Sequence, residues 1–144
     1  MKRIMKNIMM IALVMALIVV SANIQTVSAA EWRTGNLVDY NKNCGYTTVC
    51  LKNTKKDAYV KIYAYKSNGK ENKDWGTLLV TLRTTSGKYI CEFETRSGNK
   101  LRLGKDHSAY RIYIKRSFAE TYNPKPKNKA VYWGLKTHSN CTYK

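Results

Sequence analysis

The segment Ala58-Tyr-Val-Lys-Ile-Tyr-Ala-Tyr-Lys66 decides the fold class, because its residues alternate strictly between two chemical types. Successive side chains of a β-strand point to opposite faces of the sheet. One face of this segment carries small or branched aliphatic side chains, and the other carries Tyr59, Lys61, Tyr63 and Tyr65. We therefore predict a strand that has one side in a hydrophobic core and an outer side of tyrosine and lysine.

A second segment, residues 109–116, repeats this alternation. Its predicted inner side is tyrosine and isoleucine, and its predicted outer side carries Arg111, Tyr113 and Lys115. The two segments align only with a gap of one residue, so shared strand chemistry explains the likeness better than an internal duplication does.

Further runs rich in Val, Ile, Thr and Tyr follow one another from residue 36 onward, separated by Gly, Asn and Ser. Such residues favour strands and the separators favour turns; Ser86-Gly87 is the clearest tight hairpin. We predict an all-β domain, either a small antiparallel β-sandwich or a barrel of about seven strands. The predicted strands lie at residues 36–40, 47–52, 58–66, 77–85, 88–96, 109–117 and 130–137.

The first thirty residues have the layout of a secretory signal peptide. A basic head with Lys2, Arg3 and Lys6 precedes the apolar run 8–20, and small residues end at Ala30. This run is shorter than the roughly 18 to 20 residues that cross a bilayer. We predict a cleaved signal helix at 1–30, a single β domain at 31–144, secretion, and no stable transmembrane span after cleavage.

The charge of the chain is strongly positive, with a formal net charge of +17. Residues 31–144 hold 23 basic and nine acidic residues, a balance of +14. Such a field concentrates polyanions near the protein surface, although excess charge also keeps a secreted protein soluble. The favoured partner is an anionic polymer or an anionic cell surface, that is, a wall polymer, an acidic glycan, a nucleic acid or an anionic lipid.

Basic and aromatic side chains are interleaved on the predicted outer sides of the strands. Aromatic rings stack on flat groups, and neighbouring cations bind phosphate or carboxylate groups. Lysine and tyrosine are also ordinary residues of an exposed sheet face. The predicted ligand-binding surface consists of Tyr59, Lys61, Tyr63, Tyr65, Arg96, Arg102, Arg111, Tyr113 and Lys115.

The four cysteines all lie in the predicted exported part of the chain. An even number of cysteines in an oxidising compartment favours two disulfides, and four cysteines allow three pairings. Of these we favour Cys50 with Cys91 through the core and Cys44 with Cys141 between the ends of the domain. No C-x-x-C pair occurs, and neither histidine is spaced to complete a zinc site, so we expect neither a metal nor another cofactor.

The sequence favours a non-enzymatic binding protein, with two alternatives. The first is a secreted toxin, an antimicrobial factor of the bacteriocin kind, that uses the same charge to reach a competitor's envelope. The second is a small secreted ribonuclease, in which His107 and His138, or one histidine with Glu92 or Glu94, would act as acid and base. Other catalytic motifs, such as G-x-S-x-G or H-E-x-x-H, are absent from the sequence.

Overall fold

The computed structural model describes residues 30–122 and 129–144, and it is almost entirely β. The predicted signal peptide lies outside these residues apart from Ala30, so its cleavage and the export of the chain stay predictions. The elements, in chain order, are β1 (Trp32–Asn36), β2 (Tyr46–Leu51), β3 (Ala58–Lys66), β4 (Leu78–Thr84), β5 (Tyr89–Thr95), β6 (Lys100–Leu103), β7 (Ala109–Arg116), α1 (Phe118–Tyr122), β8 (Ala130–Ser139) and β9 (Cys141–Tyr143).

The strands form two antiparallel sheets, which confirms the predicted all-β sandwich. The four-stranded sheet has the order β1-β8-β3-β6, and the five-stranded sheet has the order β5-β4-β7-β2-β9. The segment that decided the fold class, β3, lies between β8 and β6. Its counterpart β7 lies at the centre of the other sheet.

The core is formed by the inward sides of both sheets. Val60 and Ile62 of β3 belong to one hydrophobic cluster with side chains such as Val80 of β4 and Ile112 of β7, and these four are at most 1% exposed. Every second residue of β3 and β7 is buried, as the alternation predicted. Because both strands give aliphatic side chains to one core, their outer sides point away from each other.

The structure contains two more strands than the sequence predicted. The short strands β6 and β9 lie at sheet edges, and each has four residues or fewer. The first strand is Trp32–Asn36, where the sequence had predicted 36–40. The Ser86-Gly87 hairpin is present between β4 and β5, closed by a hydrogen bond of 3.0 Å from the Gly87 amide to the Thr84 carbonyl.

The two ends of the domain are joined in the four-stranded sheet. Strand β1 pairs with β8 over its whole length. Beyond that ladder, the Glu31 amide donates to Thr137 Oγ1 at 2.9 Å, across 106 residues of sequence. Within the described residues, no helix is long and apolar enough to cross a membrane.

The structure contradicts the predicted disulfide between Cys50 and Cys91. These cysteines lie on β2 and β5 of the same sheet, with β7 and β4 between them. Three interstrand spacings of about 4.8 Å place the two strands roughly 14 Å apart, whereas bridged Cα atoms lie within about 7 Å.

The structure also contradicts the predicted disulfide between Cys44 and Cys141. Cys141 pairs with Leu51 at one end of β2, and Cys44 precedes the other end, roughly 23 Å away along the strand. All four thiols are unbridged. The Cys141 thiol instead donates to the carbonyls of Tyr59 and His138, both at 3.1 Å, so it contacts the backbone of the opposite sheet.

Candidate functional site

The nine predicted binding residues divide among three places. Tyr59, Lys61, Tyr63 and Tyr65 of β3 lie with Arg102 of β6 on the outer side of the four-stranded sheet. Residues Arg111, Tyr113 and Lys115 of β7 lie on the outer side of the five-stranded sheet. Arg96 lies in the loop between β5 and β6. The structure therefore contradicts one continuous binding surface, because β3 and β7 belong to different sheets whose outer sides face in opposite directions.

We call the outer side of the first sheet the four-stranded face. The strand register fixes its members, because residues directly opposite each other on paired strands share a face. It consists of Trp32, Thr34 and Asn36 of β1, Tyr132, Gly134, Lys136 and His138 of β8, Tyr59, Lys61, Tyr63 and Tyr65 of β3, and Lys100 and Arg102 of β6.

Aromatic rings form a contiguous patch on the four-stranded face. The Trp32 and Tyr63 ring centroids are 5.1 Å apart, and those of Tyr63 and Tyr65 are 6.3 Å apart with planes only 16° from parallel. Gly134 lies beneath them, since a Cβ atom at that position would stand 3.1 Å from Tyr65 and 3.4 Å from Trp32. The missing side chain lets the rings approach the backbone of β8 and each other. Trp32 remains 48% exposed and Tyr132 41% exposed.

Three lysines cross the middle of this face, and we call them the lysine row. Lys136, Lys61 and Lys100 are directly opposite one another on β8, β3 and β6. Like charges in directly opposite positions destabilise a sheet. None of the thirteen residues that form the face is acidic. Glu71 lies at the rim of the face, where its backbone pairs with that of Tyr65 in an isolated β-bridge.

Rings of the same face contact the outer members of the lysine row. The Lys136 ammonium is 5.4 Å from the Trp32 ring centroid, and the Lys100 ammonium is 4.8 Å from that of Tyr59. Cation–π contacts of this kind offset part of the repulsion. Lys61, at the centre of the row, has no ring contact of this kind among the described residues. The row is therefore a site of concentrated positive charge.

His138 stacks on Tyr59, with centroids 5.0 Å apart and planes 9° from parallel. Burial, together with the charges of Lys136, Lys61 and Lys100, lowers the pKa of His138. Its Nε2 atom is buried and has no hydrogen-bond partner in the described part of the chain. The imidazole is therefore neutral at pH 7, and it extends the patch of rings.

The structure does not bring the two histidines together as a catalytic pair. His107 lies in the loop between β6 and β7 and packs edge-on against Tyr110, whereas His138 stacks on Tyr59. The alternative partners Glu92 and Glu94 lie on the outer side of the five-stranded sheet, away from His138. The described residues contain no group of three His, Cys, Asp or Glu side chains that could hold a metal ion.

The outer side of the second sheet, which we call the five-stranded face, also combines rings and cations. It consists of Tyr46, Thr48 and Cys50 of β2, Leu79, Thr81 and Arg83 of β4, Tyr89, Glu92 and Glu94 of β5, Ala109, Arg111, Tyr113 and Lys115 of β7, and Thr142 of β9.

On the five-stranded face, arginine replaces lysine beside the rings. The Tyr46 and Tyr113 rings are 5.2 Å apart, and the Arg111 guanidinium is 4.6 Å from the Tyr46 ring. A cleft of about 400 Å³ adjoins Tyr113 and is lined partly by Glu92. The Thr81 hydroxyl donates to that carboxylate at 2.6 Å. This face therefore carries its own acidic groups.

Sequence reasoning missed several members of the four-stranded face. Trp32 lay outside every predicted strand, and Tyr132 and Lys136 were not chosen as binding residues. The alternation along 130–137 contained the signal for the last two, because Tyr132, Gly134 and Lys136 share one parity. Nothing in the sequence places β8 beside β3.

No protein-family model, no curated protein and no solved structure matches this chain.

Proposed function

We propose that the protein is a secreted, non-enzymatic binding protein for an anionic polymer or an anionic surface, and that the four-stranded face is its binding site. The lysine row carries this proposal. Three ammonium groups directly opposite one another, on a face without a carboxylate, repel each other in the free protein. A polyanion bound across β8, β3 and β6 would place negative charge beside the three ammonium groups, so that attraction to the ligand outweighs their mutual repulsion.

Two further features support the proposal. The net charge of +14 on residues 31–144 attracts polyanions from a distance. The rings of Trp32, Tyr59 and Tyr63 flank the lysine row, so a polymer held by its charges would also contact exposed aromatic surface. The five-stranded face has cations as well, but Glu92 and Glu94 oppose a polyanion there.

A salt-resolved binding panel tests this function. Wild-type protein is titrated with RNA, a wall polymer, an acidic glycan and anionic vesicles, each over a range of salt concentrations. We expect affinity for at least one of these to fall steeply with salt, because bound polyanions release counterions. Replacing Lys61, Lys100 and Lys136 with Gln should flatten the slope of log K against log salt by about 2, at roughly 0.7 per lost contact to a single strand.

The matched control neutralises three cations of the opposite face, Arg83→Gln, Arg111→Gln and Lys115→Gln. The same change in net charge should then alter the slope much less, because these side chains lie outside the proposed site. Equal slopes for the two triple variants would show that the field of the whole protein, and not the four-stranded face, holds the polymer. Salt-independent binding, or no binding to any member of the panel, would overturn the proposed function.

A further inference from the structure

We infer that the ligand of the four-stranded face is a single-stranded nucleic acid whose bases stack on Trp32 and Tyr63 while its phosphates contact the lysine row. This inference rests on the proposed function, since it names the polymer for the same site. Three observations bear on this choice, and the first and the third favour a single-stranded nucleic acid over the other polyanions.

The first observation is the patch of rings. Trp32 and Tyr63 stand 5.1 Å apart beside the lysine row, and Gly134 brings them close by leaving space for the Tyr65 and Trp32 rings. Unpaired bases are flat and stack on aromatic side chains whatever their sequence. A polymer of phosphates and aliphatic alcohols has no planar group, so it would leave these rings without a role.

The second observation is the type of cation. The row consists of lysines, and Arg102 is the single arginine of the face. A guanidinium forms two-pronged pairs with carboxylates and phosphates alike, whereas an ammonium is a point charge that binds phosphate oxygens without fixing their orientation. The lysine row therefore suits the phosphates of a flexible chain, and the titration with polygalacturonate described below decides between phosphates and carboxylates.

The third observation is the shape of the site. The rings and lysines lie across the four adjacent strands of one sheet, so the site is broad and open. Proteins read a duplex by placing a helix or a narrow ribbon in a groove, and paired bases cannot stack on a protein ring. A single strand can spread its bases over an open sheet face. The four-stranded face therefore fits a single strand and does not fit a duplex.

The experiment compares two oligomers that differ only in their bases. One is a thymidylate oligomer, and the other is an abasic deoxyribose-phosphate oligomer of the same length and charge. Both are titrated into the protein over the same series of salt concentrations, together with the matching duplex and a polygalacturonate of similar charge. We expect the thymidylate oligomer to bind roughly tenfold or more tightly than the abasic one, since each stacked base strengthens binding by about that factor.

Variants then assign the difference to the rings. Trp32→Leu should remove most of the advantage of the thymidylate oligomer, because it weakens binding of that oligomer by a much larger factor than binding of the abasic oligomer. Tyr46→Leu is the matched control, because Tyr46 is 48% exposed, as Trp32 is, but lies on the five-stranded face. Lys136→Gln should weaken binding of both oligomers by the same factor. Circular dichroism and thermal melting establish that each variant is folded.

The outcomes separate this inference from the function on which it rests. Equal, salt-dependent binding of the two oligomers would overturn the nucleic-acid assignment and leave polyanion binding in place. Tighter binding of duplex or of polygalacturonate than of the thymidylate oligomer would overturn it as well. If every ligand binds without dependence on salt or on Lys136, the proposed function itself fails.

Discussion

The two outer faces of the sandwich are made from the same kinds of side chain and differ in the balance of positive and negative charge. The four-stranded face has a lysine row, stacked rings and no acidic member. The five-stranded face has Arg83 directly opposite Arg111, a pair of tyrosines, and Glu92 and Glu94 on the next strand. Under the proposed function, rings and cations at alternate positions of a strand do not by themselves make a polyanion site. The residues contributed by neighbouring strands determine whether the charges add or cancel.

The largest effect should come from filling the space beneath the rings with Gly134→Val. Its side chain would enter the volume held by Tyr65 and Trp32, and overpacking of this kind destabilises a protein by about 1 to 3 kcal/mol. Denaturant unfolding measures the loss, and the affinity for the polyanion should fall with it. The control is Gly45→Val, because nothing lies within 4 Å of a Cβ atom at Gly45. Equal losses for the two variants would contradict a special role for Gly134.

Removing the acidic groups of the five-stranded face should make it resemble its counterpart. In a background without the lysine row, Glu92→Gln with Glu94→Gln should raise affinity for a polyanion by about tenfold, since each exposed carboxylate opposes the ligand by about 1 kcal/mol or less. Glutamine at position 92 can still accept the Thr81 hydrogen bond. Isothermal titration measures the gain. An unchanged affinity would mean that the balance of charge does not distinguish the faces.

A smaller effect, of unusual sign, is expected for Lys61→Thr. Lys61 stands between Lys136 and Lys100, so its removal relieves two repulsions, and stability should rise by about 0.2 to 1 kcal/mol at low salt. Polyanion binding should weaken at the same time. Lys115→Thr is the control, because Lys115 faces Leu79 in the register and not another cation. A loss of stability for Lys61→Thr would contradict the repulsion on which the proposed function rests.

The smallest effect concerns pH. The pKa of His138 is lowered by burial and by the lysines around it, so the folded state binds a proton at this site less readily than the unfolded state does. The contribution of neutral His138 to the free energy of unfolding is fully present above the pKa of histidine in the unfolded state, about 6.5. It is lost as the pH falls from that value toward the lower pKa of the folded state. His138→Gln should remove this part of the pH dependence in melting curves. His107→Gln, in an exposed loop, is the control.

The sequence predicted the alternation within strands and could not predict the order of strands. Tyr59, Lys61, Tyr63 and Tyr65 lie on an outer side as expected, because a period of two is a local property of the backbone. That β3 and β7 belong to opposite sheets is a property of the whole chain. Two segments of nearly equal chemistry can pair with different neighbours, so their likeness led to one predicted surface where the structure has two.

The predicted disulfides failed for the same reason. Cys50 and Cys91 each lie in a strand, but membership in a strand says nothing about the strands between them. Trp32 was missed because its strand is short and begins directly after the predicted cleavage site. Its importance appears only when β1 is placed beside β8, where Trp32 is opposite Lys136.

The pairing of β1 with β8 determines when the four-stranded face can fold during synthesis of the chain. Trp32 is opposite Lys136, so the first strand of the domain can pair only after nearly the whole domain has been synthesised. Contacts so distant in sequence require closure of a large loop and form slowly. A nascent chain still emerging from the ribosome has no β8 and hence no assembled four-stranded face. Attraction to cellular polyanions during synthesis would then come from charge alone, and the stacked rings would be added only to the finished protein.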